Sequence, residues 1–366
     1  MRILYGVQGT GNGHISRSRT LAQALARHGV MVDYLFSGRE PSAYFDMEAF
    51  GDYRTAHGLT FHSHDGCIDI WQTLTRSRPL QLLRDIGALD LERYDRVISD
   101  FEPVSAWAAR RQGVAALGIS HQASFAYEIP RRGEQWSARL IMRRYAPVTR
   151  AIGLHWFHFG HPILPPIIDP LQAGDEDDTI LVYLPFESLA AIRQLLSRFG
   201  GERFVCFHPE VQETHLEGNL LCQPLGRAAF KQALCNCRGV ISNAGFELAS
   251  EALTLGKKLL LKPLQGQFEQ ASNAMTLELL GLADVMPVLA SAKVRDWLDQ
   301  QAVGAVVYPD VAGEIAQWLA GGEQEPLSLL VNRLWNRVCF PEATCDRLAE
   351  LGLADNLKCG LLLNIP

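Results

Sequence analysis

Short apolar runs alternate with segments of helical composition along most of this chain, and that alternation constrains the fold more than any other feature. The pattern of strand, turn and helix breaks at a proline-rich stretch that begins at Pro162, and it restarts at Thr179. Strands that alternate with helices imply right-handed crossover connections and a parallel sheet. The sequence therefore predicts an α/β fold with two doubly wound sheets.

The break in the pattern divides the chain into two predicted domains. A chain of 366 residues exceeds the roughly 250–300 residues at which a single hydrophobic core stops growing. Proline interrupts regular pairing and the acidic run Ala173–Asp178 favours solvent, so we predict a linker over residues 165–178. Residues 1–164 and 179–366 then form two Rossmann-like domains that face a central cleft. Ligands of such sheets bind at the carboxyl ends of the strands, which border this cleft.

Charge and hydropathy exclude several classes of function. The formal net charge is -6 and the sequence pI is about 6.0, which gives no electrostatic footprint for nucleic-acid binding. No apolar run reaches the ~18 residues that indicate a membrane span. The first residues also lack the regions that mark a signal peptide. We therefore expect a cytoplasmic protein that acts on small molecules and does not bind nucleic acid.

A glycine-rich turn follows the first predicted strand and ends in a histidine. The turn contains Gly9, Gly11, Asn12, Gly13 and His14. It lacks the Lys-Ser/Thr of a P-loop and the third glycine of a dinucleotide fingerprint. An imidazole at the carboxyl end of a first strand has the right pKa range to accept a proton from a hydroxyl near neutral pH. The alternative is a histidine that only hydrogen-bonds to the turn.

A second strand of the first half ends in a carboxylate. The apolar run Arg96–Ser99 leads directly into Asp100. A buried carboxylate beside an imidazole fixes the tautomer of the ring and stabilises the imidazolium that forms when it takes a proton. We therefore predict that His14 and Asp100 form a catalytic pair. The alternative is that Asp100 caps the N-terminus of the helix that follows it.

Small and polar residues follow two predicted strands of the second half. Backbone amides at the start of the first of the two helices can hold a phosphate group. A glutamate one turn inside that helix can accept hydrogen bonds from ribose hydroxyls, unless it is only a solvated surface residue. The polar residues after the next strand can bind the hydroxyls of a sugar. The candidate donor-binding residues are Ser242, Asn243, Ala244, Gly245, Phe246, Glu251, Glu269, Gln270 and Asn273.

At these residues the chain resembles the GT-B glycosyltransferases. It is most similar to the branch that contains the N-acetylglucosaminyltransferase of lipid II synthesis and the UDP-glucosyl and glucuronosyl transferases. Gly9–His14 resembles the first loop of that branch, whose histidine is the proposed base, and Val97–Asp100 resembles the strand that ends in its aspartate partner. Ser242–Asn273 resembles the donor signature. The chain is also similar to a bacterial and archaeal group with an N-terminal GxGNGH loop.

The resemblance implies that a sugar moves from a UDP- or TDP-linked donor to an acceptor hydroxyl, without a cofactor. No DxD-like pair of carboxylates ends a predicted strand, so we expect no metal. The loop Asn243–Gly245 departs from the plant enzymes, which have His-Cys-Gly-Trp there, and Arg227 and Lys231 are candidates to supply the missing positive charge. Two alternatives are a non-hydrolysing nucleotide-sugar epimerase and a nucleotide-sugar-binding protein without turnover.

One segment of the first half, Arg131–Phe159, mixes basic with large apolar side chains. Such a segment can lie on an anionic membrane surface, which would suit a lipid-linked acceptor and a peripheral membrane contact. The alternative is a helix packed on its own sheet, and Ala151–Phe159 also has the composition of a buried strand. The residues concerned are Arg131, Arg132, Arg139, Arg143, Arg144, Arg150, Trp136, Leu140, Ile141, Tyr145, Trp156, Phe157 and Phe159.

Overall fold

The structure is a computed structural model in which the chain forms two parallel sheets with helices packed on them. It describes residues 1–58, 63–64, 67–68, 79–133, 144–353 and 358–359.

The first sheet belongs to the N-terminal half and has six parallel strands. Its described elements are, in chain order, β1 (Arg2–Gln8), α1 (Asn12–Arg27), β2 (Met31–Ser37), β3 (Arg54–Ala56), the separate antiparallel pair β4 (Ser63–His64) and β5 (Cys67–Ile68), α2 (Pro79–Ala88), β6 (Arg96–Asp100), α3 (Pro103–Gln112), β7 (Ala116–Ser120) and β8 (Arg150–Gly153). The strand order is β3-β2-β1-β6-β7-β8. The chain runs outward from β1 and resumes at β6 on the other side, so the ends of β1 and β6 form a topological switch point, where such sheets bind ligands.

The second sheet has seven strands and its own switch point. Its elements are β9 (Thr179–Tyr183), α4 (Leu189–Leu196), β10 (Arg203–Phe207), β11 (His215–Glu217), β12 (Leu220–Gln223), α5 (Arg227–Asn236), β13 (Gly239–Asn243), α6 (Phe246–Thr254), β14 (Lys258–Lys262), α7 (Phe268–Leu279) and β15 (Asp284–Val285). The order is β11-β12-β10-β9-β13-β14-β15, and only the β11–β12 pairing within it is antiparallel. The order reverses between β9 and β13, so the loop after β13 lies at the second switch point.

The remaining elements follow the second sheet and return to the first half. They are α8 (Ser291–Leu298), α9 (Val311–Ala320), α10 (Leu327–Trp335), β16 (Cys339–Phe340), α11 (Glu342–Glu350) and β17 (Lys358–Cys359). Helix α9 packs against α1, and Arg27 at the end of α1 lies 3.8 Å from Asp310 at the start of α9. The C-terminal part of the chain therefore supports the helix that follows the first strand. No helix among the described residues is long and apolar enough to cross a membrane.

Local sequence explains the boundaries of the elements near the first switch point. Strand β1 is apolar and buried along nearly its whole length. Helix α1 begins after Gly11, which is extended, and is followed by Gly29 with φ of +68°. Positive φ suits glycine and ends a helix. The sequence predicts this helix only from Ile15, so the structure moves its start forward and puts His14 in the first helical turn rather than on the loop.

The proline-rich stretch between the two halves is partly buried. Among the residues between β8 and β9, all described, none forms a regular helix or strand. Ile163–Ile167 are nevertheless buried, and Trp156 and Phe157 have no exposed surface. Only residues 172–178, which include the predicted acidic run, are exposed throughout. The stretch therefore joins the core of both halves, and its exposed part is short.

The segment with basic and apolar side chains is described only in part. Residues 134–143, which include Trp136, Arg139 and Arg143, lie outside the described residues. The described aromatic residues Tyr145, Trp156 and Phe157 are buried, and Phe159 is half-buried. Arg144 and Arg150 are exposed. The described aromatic residues therefore lie in the protein interior, where Trp156 and Phe157 contact residues of the second half.

Candidate active site between the two sheets

The first switch point brings together the two residues that the sequence predicts as a pair. His14 Nδ1 lies 2.9 Å from Asp100 Oδ1, although the two residues come from different elements. The Asp100 side chain has no exposed surface and that of His14 is 15% exposed. The side chain of Glu102, not that of Asp100, caps the following helix by accepting from the amides of residues 104 and 105. The structure therefore excludes both alternative sets of contacts. His14 does not bond only to its own turn, and Asp100 does not cap the helix that follows it.

A guanidinium that the sequence interpretation missed binds the same aspartate. Arg17 donates from Nε to Asp100 Oδ2 at 2.6 Å and from Nη2 to Oδ1 at 2.5 Å. Its Nη1 donates to Glu247 Oε1 at 2.8 Å, across the cleft on α6. The Arg17 side chain is only 3% exposed. One buried cation therefore joins two carboxylates that belong to different halves of the chain.

The two carboxylates of this cluster differ in their pKa values. Burial raises the pKa of Asp100, but Arg17 and His14 outweigh burial, and the pKa lies below its usual value. Burial raises the pKa of Glu247 to about 8, because Arg17 offsets only part of the cost and Glu251 and Asp100 add repulsion. Burial opposes the charge of Arg17, but the two carboxylates raise its pKa. Of the two carboxylates that contact Arg17, Asp100 is therefore the more readily ionised.

The other ring nitrogen of His14 lies beside Gln122 of the same half, which contacts Glu269 of the opposite half. Gln122 Nε2 is 3.5 Å from His14 Nε2 and donates to both carboxylate oxygens of Glu269 at 3.1 Å. Gln122 follows β7, and Glu269 is in the first turn of α7. The predicted base and the predicted sugar ligand Glu269 are therefore linked through the side-chain amide of Gln122.

The glycine-rich turn packs directly against its surroundings. A Cβ atom on Gly13 would lie 2.9 Å from Glu247 Cγ, and one on Gly9 would lie 2.2 Å from the Tyr44 hydroxyl. Both positions exclude a larger residue unless the neighbour moves. Asn12 is hydrogen-bonded to Tyr183 at the end of β9. The turn thus forms part of the contact between the two halves.

The loop of the second switch point is lined by small residues and buried polar atoms. Gly245 precedes α6, and no side chain among those described caps the N-terminus of this helix. Asn243 donates from Nδ2 to the Lys262 carbonyl at 2.9 Å. Ser242 Oγ and Asn243 Oδ1 are buried and have no hydrogen-bond partner within the described part of the chain. Buried polar atoms without partners are uncommon and indicate free capacity to bind a ligand or water.

Glu251 is a buried residue, so the alternative of a solvated surface glutamate is wrong. Its side chain is 7% exposed, and its Oε1 accepts from Ser16 Oγ at 3.4 Å. Burial raises the pKa of Glu251, and nearby Lys231 and Arg227 partly offset the effect. Both of these cations contact Asp169, Arg227 at 2.8 Å and Lys231 as a close ion pair. The positive charge predicted for the donor site is therefore shared with Asp169.

Three of the predicted donor residues are themselves held by contacts within the protein. Asn273 has no exposed surface, donates to the Ala244 carbonyl at 3.0 Å, and lies 2.7 Å from Nε2 of His121. His121 also stacks on Phe246 with ring centroids 4.0 Å apart. Gln270 accepts from the amide of residue 264 at 2.9 Å. Asn273 and His121 therefore support the loop after β13, whereas Gln270 contacts the loop after β14 through its side-chain oxygen.

The sequence interpretation missed Arg17, Glu247, His121 and Gln122. Arg17 lies three residues after His14 and so shares its helix face, which is a signal that could have been used. His121 and Gln122 follow a predicted strand directly, at the same sheet edge as the predicted pair. Glu247 gives no comparable signal, because an acidic residue in a first helical turn is common on surfaces.

Comparisons with known proteins agree with this architecture. A family model described as Glycosyl transferase family 1 matches residues 1–301. The glycotransferase of kitacinnamycin has a TM-score of 0.57 at 14% identity, with 91% of this chain and 99% of that chain covered. The SsfS6 glycosyltransferase of Streptomyces sp. SF2575 has a TM-score of 0.55 at 15% identity, with 88% of this chain and 95% of that chain covered. A UGT transferase from Siraitia grosvenorii in complex with UDP has 0.54 at 15% identity, with 91% and 98% covered.

These likenesses concern the fold, and they confirm the GT-B arrangement of two Rossmann-like bodies that the sequence predicts. A search of curated protein sequences finds no match to this chain.

Proposed function

This chain belongs to glycosyl transferase family 1, and we propose that it moves a sugar from a UDP- or TDP-linked donor to an acceptor hydroxyl with His14 as the general base. The observation that carries the proposal is the position of the His14 ring. Its Nδ1 faces a buried carboxylate, and its Nε2 lies beside Gln122, which donates to Glu269 of the other half. A base held in this way can act on a hydroxyl next to a bound sugar.

The proposed reaction is a direct displacement. His14 Nε2 takes the proton of the acceptor hydroxyl while that oxygen bonds to the anomeric carbon of the donor. The bond from the same carbon to the diphosphate oxygen breaks, and the nucleoside diphosphate leaves with the electron pair. Asp100 holds the ring and balances the positive charge that forms on it.

The leaving diphosphate is proposed to bind the loop after β13. The N-terminus of α6 offers backbone amides that no described side chain caps, and such amides favour negative charge. We propose that they stabilise the diphosphate without a metal ion. Glu251 is proposed to bind the ribose hydroxyls, and Glu269 and Gln270 the sugar, within a scaffold that Asn273 holds from behind.

The finer assignments are part of the same proposal. The GxGNGH loop is proposed to place the chain in the bacterial and archaeal group that shares it. The UDP complex of a protein with a similar fold supports a uridine donor as the first choice to test. The acceptor is proposed to bind the N-terminal half, on the side of the cleft that carries His14.

The proposal is tested by incubating the protein with a panel of UDP- and TDP-sugars and measuring free nucleotide, with and without cell extract as a source of acceptor. We expect release of one nucleotide to require extract and His14, and to survive a chelator. Conversion of a nucleotide sugar to its epimer without extract would identify an epimerase. Tight binding of a nucleotide without release under any condition would identify a binding protein.

A further inference from the structure

One buried guanidinium lies between the proposed base and the opposite half, and the reaction described above does not use it. Arg17 Nη2 lies 2.5 Å from Asp100 Oδ1 and 2.6 Å from His14 Nδ1. His14 Nδ1 in turn lies 2.9 Å from the same Asp100 oxygen. Three polar atoms from three side chains therefore meet in one triangle.

The triangle cannot satisfy its three contacts at the same time. A guanidinium only donates hydrogen bonds, and an ionised carboxylate only accepts them. If Nδ1 of His14 carries the proton, it donates to Asp100 and faces Arg17 as a second donor. If Nδ1 is unprotonated, it accepts from Arg17 and faces Asp100 as a second acceptor. The two tautomers compete, and the position of Arg17 decides between them.

The tautomer determines whether His14 can act as a base toward the cleft. Its Nε2 is the nitrogen that lies beside Gln122. In a neutral imidazole Nε2 has a free lone pair only when the proton is on Nδ1. If Arg17 donates to Nδ1 rather than to Asp100 alone, the ring proton moves to Nε2 and the base is lost without any movement of the ring.

Glu247 holds Arg17 from the opposite half. It accepts from Nη1, the guanidinium nitrogen that does not contact His14, at 2.8 Å. The absence of a side chain at Gly13 allows this approach, because a Cβ there would lie 2.9 Å from Glu247 Cγ. Glu247 is in the first turn of α6, next to the proposed diphosphate site.

We propose that Arg17 is a positioning residue that sets the tautomer of His14, and that Glu247 fixes Arg17 where the proton stays on Nδ1. The His14–Asp100 pair is then a competent base only while the two halves of the molecule are in contact. This inference rests on the proposed function, because it specifies how the same base is prepared.

The tautomer can be observed by long-range proton–nitrogen correlation NMR on the full chain labelled in its histidine nitrogens. Spectra are recorded in neutral to mildly alkaline buffer, and His14→Gln identifies the signals of this residue. We expect the wild-type proton on Nδ1. In Glu247→Ala we expect it on Nε2 in most molecules. Glu247→Gln keeps an acceptor oxygen for Arg17 and should restore the wild-type tautomer.

Glu323→Ala is the matched control. Glu323 pairs with Arg96 and Arg150 of the first sheet, and Arg96 begins the strand that Asp100 ends. It should leave the tautomer unchanged. A wild-type proton on Nε2, no change in Glu247→Ala, or an equal change in Glu323→Ala overturns the inference. The spectra need no donor or acceptor, so a protein that fails to transfer sugar contradicts the proposed function alone.

Discussion

The two switch points of this molecule differ in how far their polar groups are already bonded to each other. At the first, His14, Arg17 and Asp100 form a buried cluster of mutual contacts. At the second, Ser242 Oγ and Asn243 Oδ1 are buried and have no partner in the portions of the chain that the structure describes. Groups that bond each other are arranged before a ligand arrives, whereas unbonded ones have capacity to receive it. The contrast supports a division of roles between the two switch points. We call the first, with His14, the chemical side, and the second, with Ser242 and Asn243, the binding side.

The largest effect expected from this contrast is on catalysis. His14→Ala should lower the rate of transfer by about 10²–10⁴-fold, the usual contribution of a general base. The affinity for UDP should stay nearly unchanged, because His14 belongs to the chemical side. Steady-state kinetics and calorimetry measure the two quantities. A variant that transfers sugar at the wild-type rate would remove His14 from the mechanism.

The second effect concerns stability. Arg17→Ala leaves Asp100 and Glu247 without their shared cation, and breaking a buried ion pair in this way typically costs about 3–5 kcal/mol. Urea unfolding measures the loss. Arg333→Ala is the control, since Arg333 is 41% exposed in its ion pairs with Glu314 and Glu325 and such pairs contribute at most about 1 kcal/mol. Similar losses in both variants would contradict the special status of Arg17.

A smaller effect is expected on the binding side. Glu251→Ala should weaken UDP or TDP binding by roughly 1.5–3 kcal/mol, because charge-assisted hydrogen bonds to ribose are lost. Calorimetry with both nucleotides measures the change, and Glu278→Ala on the exposed face of α7 serves as the control. Unchanged affinity in the Glu251 variant would mean that this buried carboxylate supports the fold only.

The fourth effect is on the way in which the free energy of unfolding changes with pH. Burial raises the pKa of Glu247 from 4.5 to about 8, so the folded state holds a proton that the unfolded state has lost in this window. The associated stability is fully present below about pH 4.5 and is lost as pH rises through 8, with a slope of up to about 1.4 kcal/mol per pH unit. Glu247→Gln should remove this decline. Parallel stability curves for the two proteins, measured by urea unfolding across the window, would rule it out.

The smallest effect is expected at membranes. The described aromatic residues of the basic and apolar segment are buried or half-buried, so the described part of this segment presents little apolar surface to lipid. The protein should stay in the supernatant when anionic liposomes are sedimented at low salt. Sedimentation with the vesicles would revive the peripheral membrane contact and favour a lipid-linked acceptor.

Local pattern predicted most of the fold because each repeating unit carries its own signals. The apolar runs over residues 203–207 and 258–262 predict strands with these bounds, and the structure has both strands over the same residues. The hairpin of β11 and β12 was missed, because a three-residue exposed strand has no apolar period. The early start of α1 was missed because Asn12 and Gly13 favour a turn in isolation, and only the contact of Gly13 with Glu247 explains a glycine there.

The site could be predicted where it depends on strand ends and could not where it depends on partners across the cleft. Asp100 ends an apolar strand, so its position at the sheet edge follows from the sequence alone. The contact of Arg17 with Glu247 joins residues far apart in the chain. The local sequence around either residue does not indicate this contact, because arginine and glutamate side chains on helices usually face solvent.

The packing of α9 against α1 has a consequence for synthesis on the ribosome. Domains tend to fold as they emerge, from the N-terminus onward. Here the helix that carries His14 is covered by one made near the other end of the chain. A nascent chain that stops before Val311 therefore exposes part of α1, however complete the first sheet is. The final maturation of the N-terminal half must wait for translation of residues well beyond the second sheet.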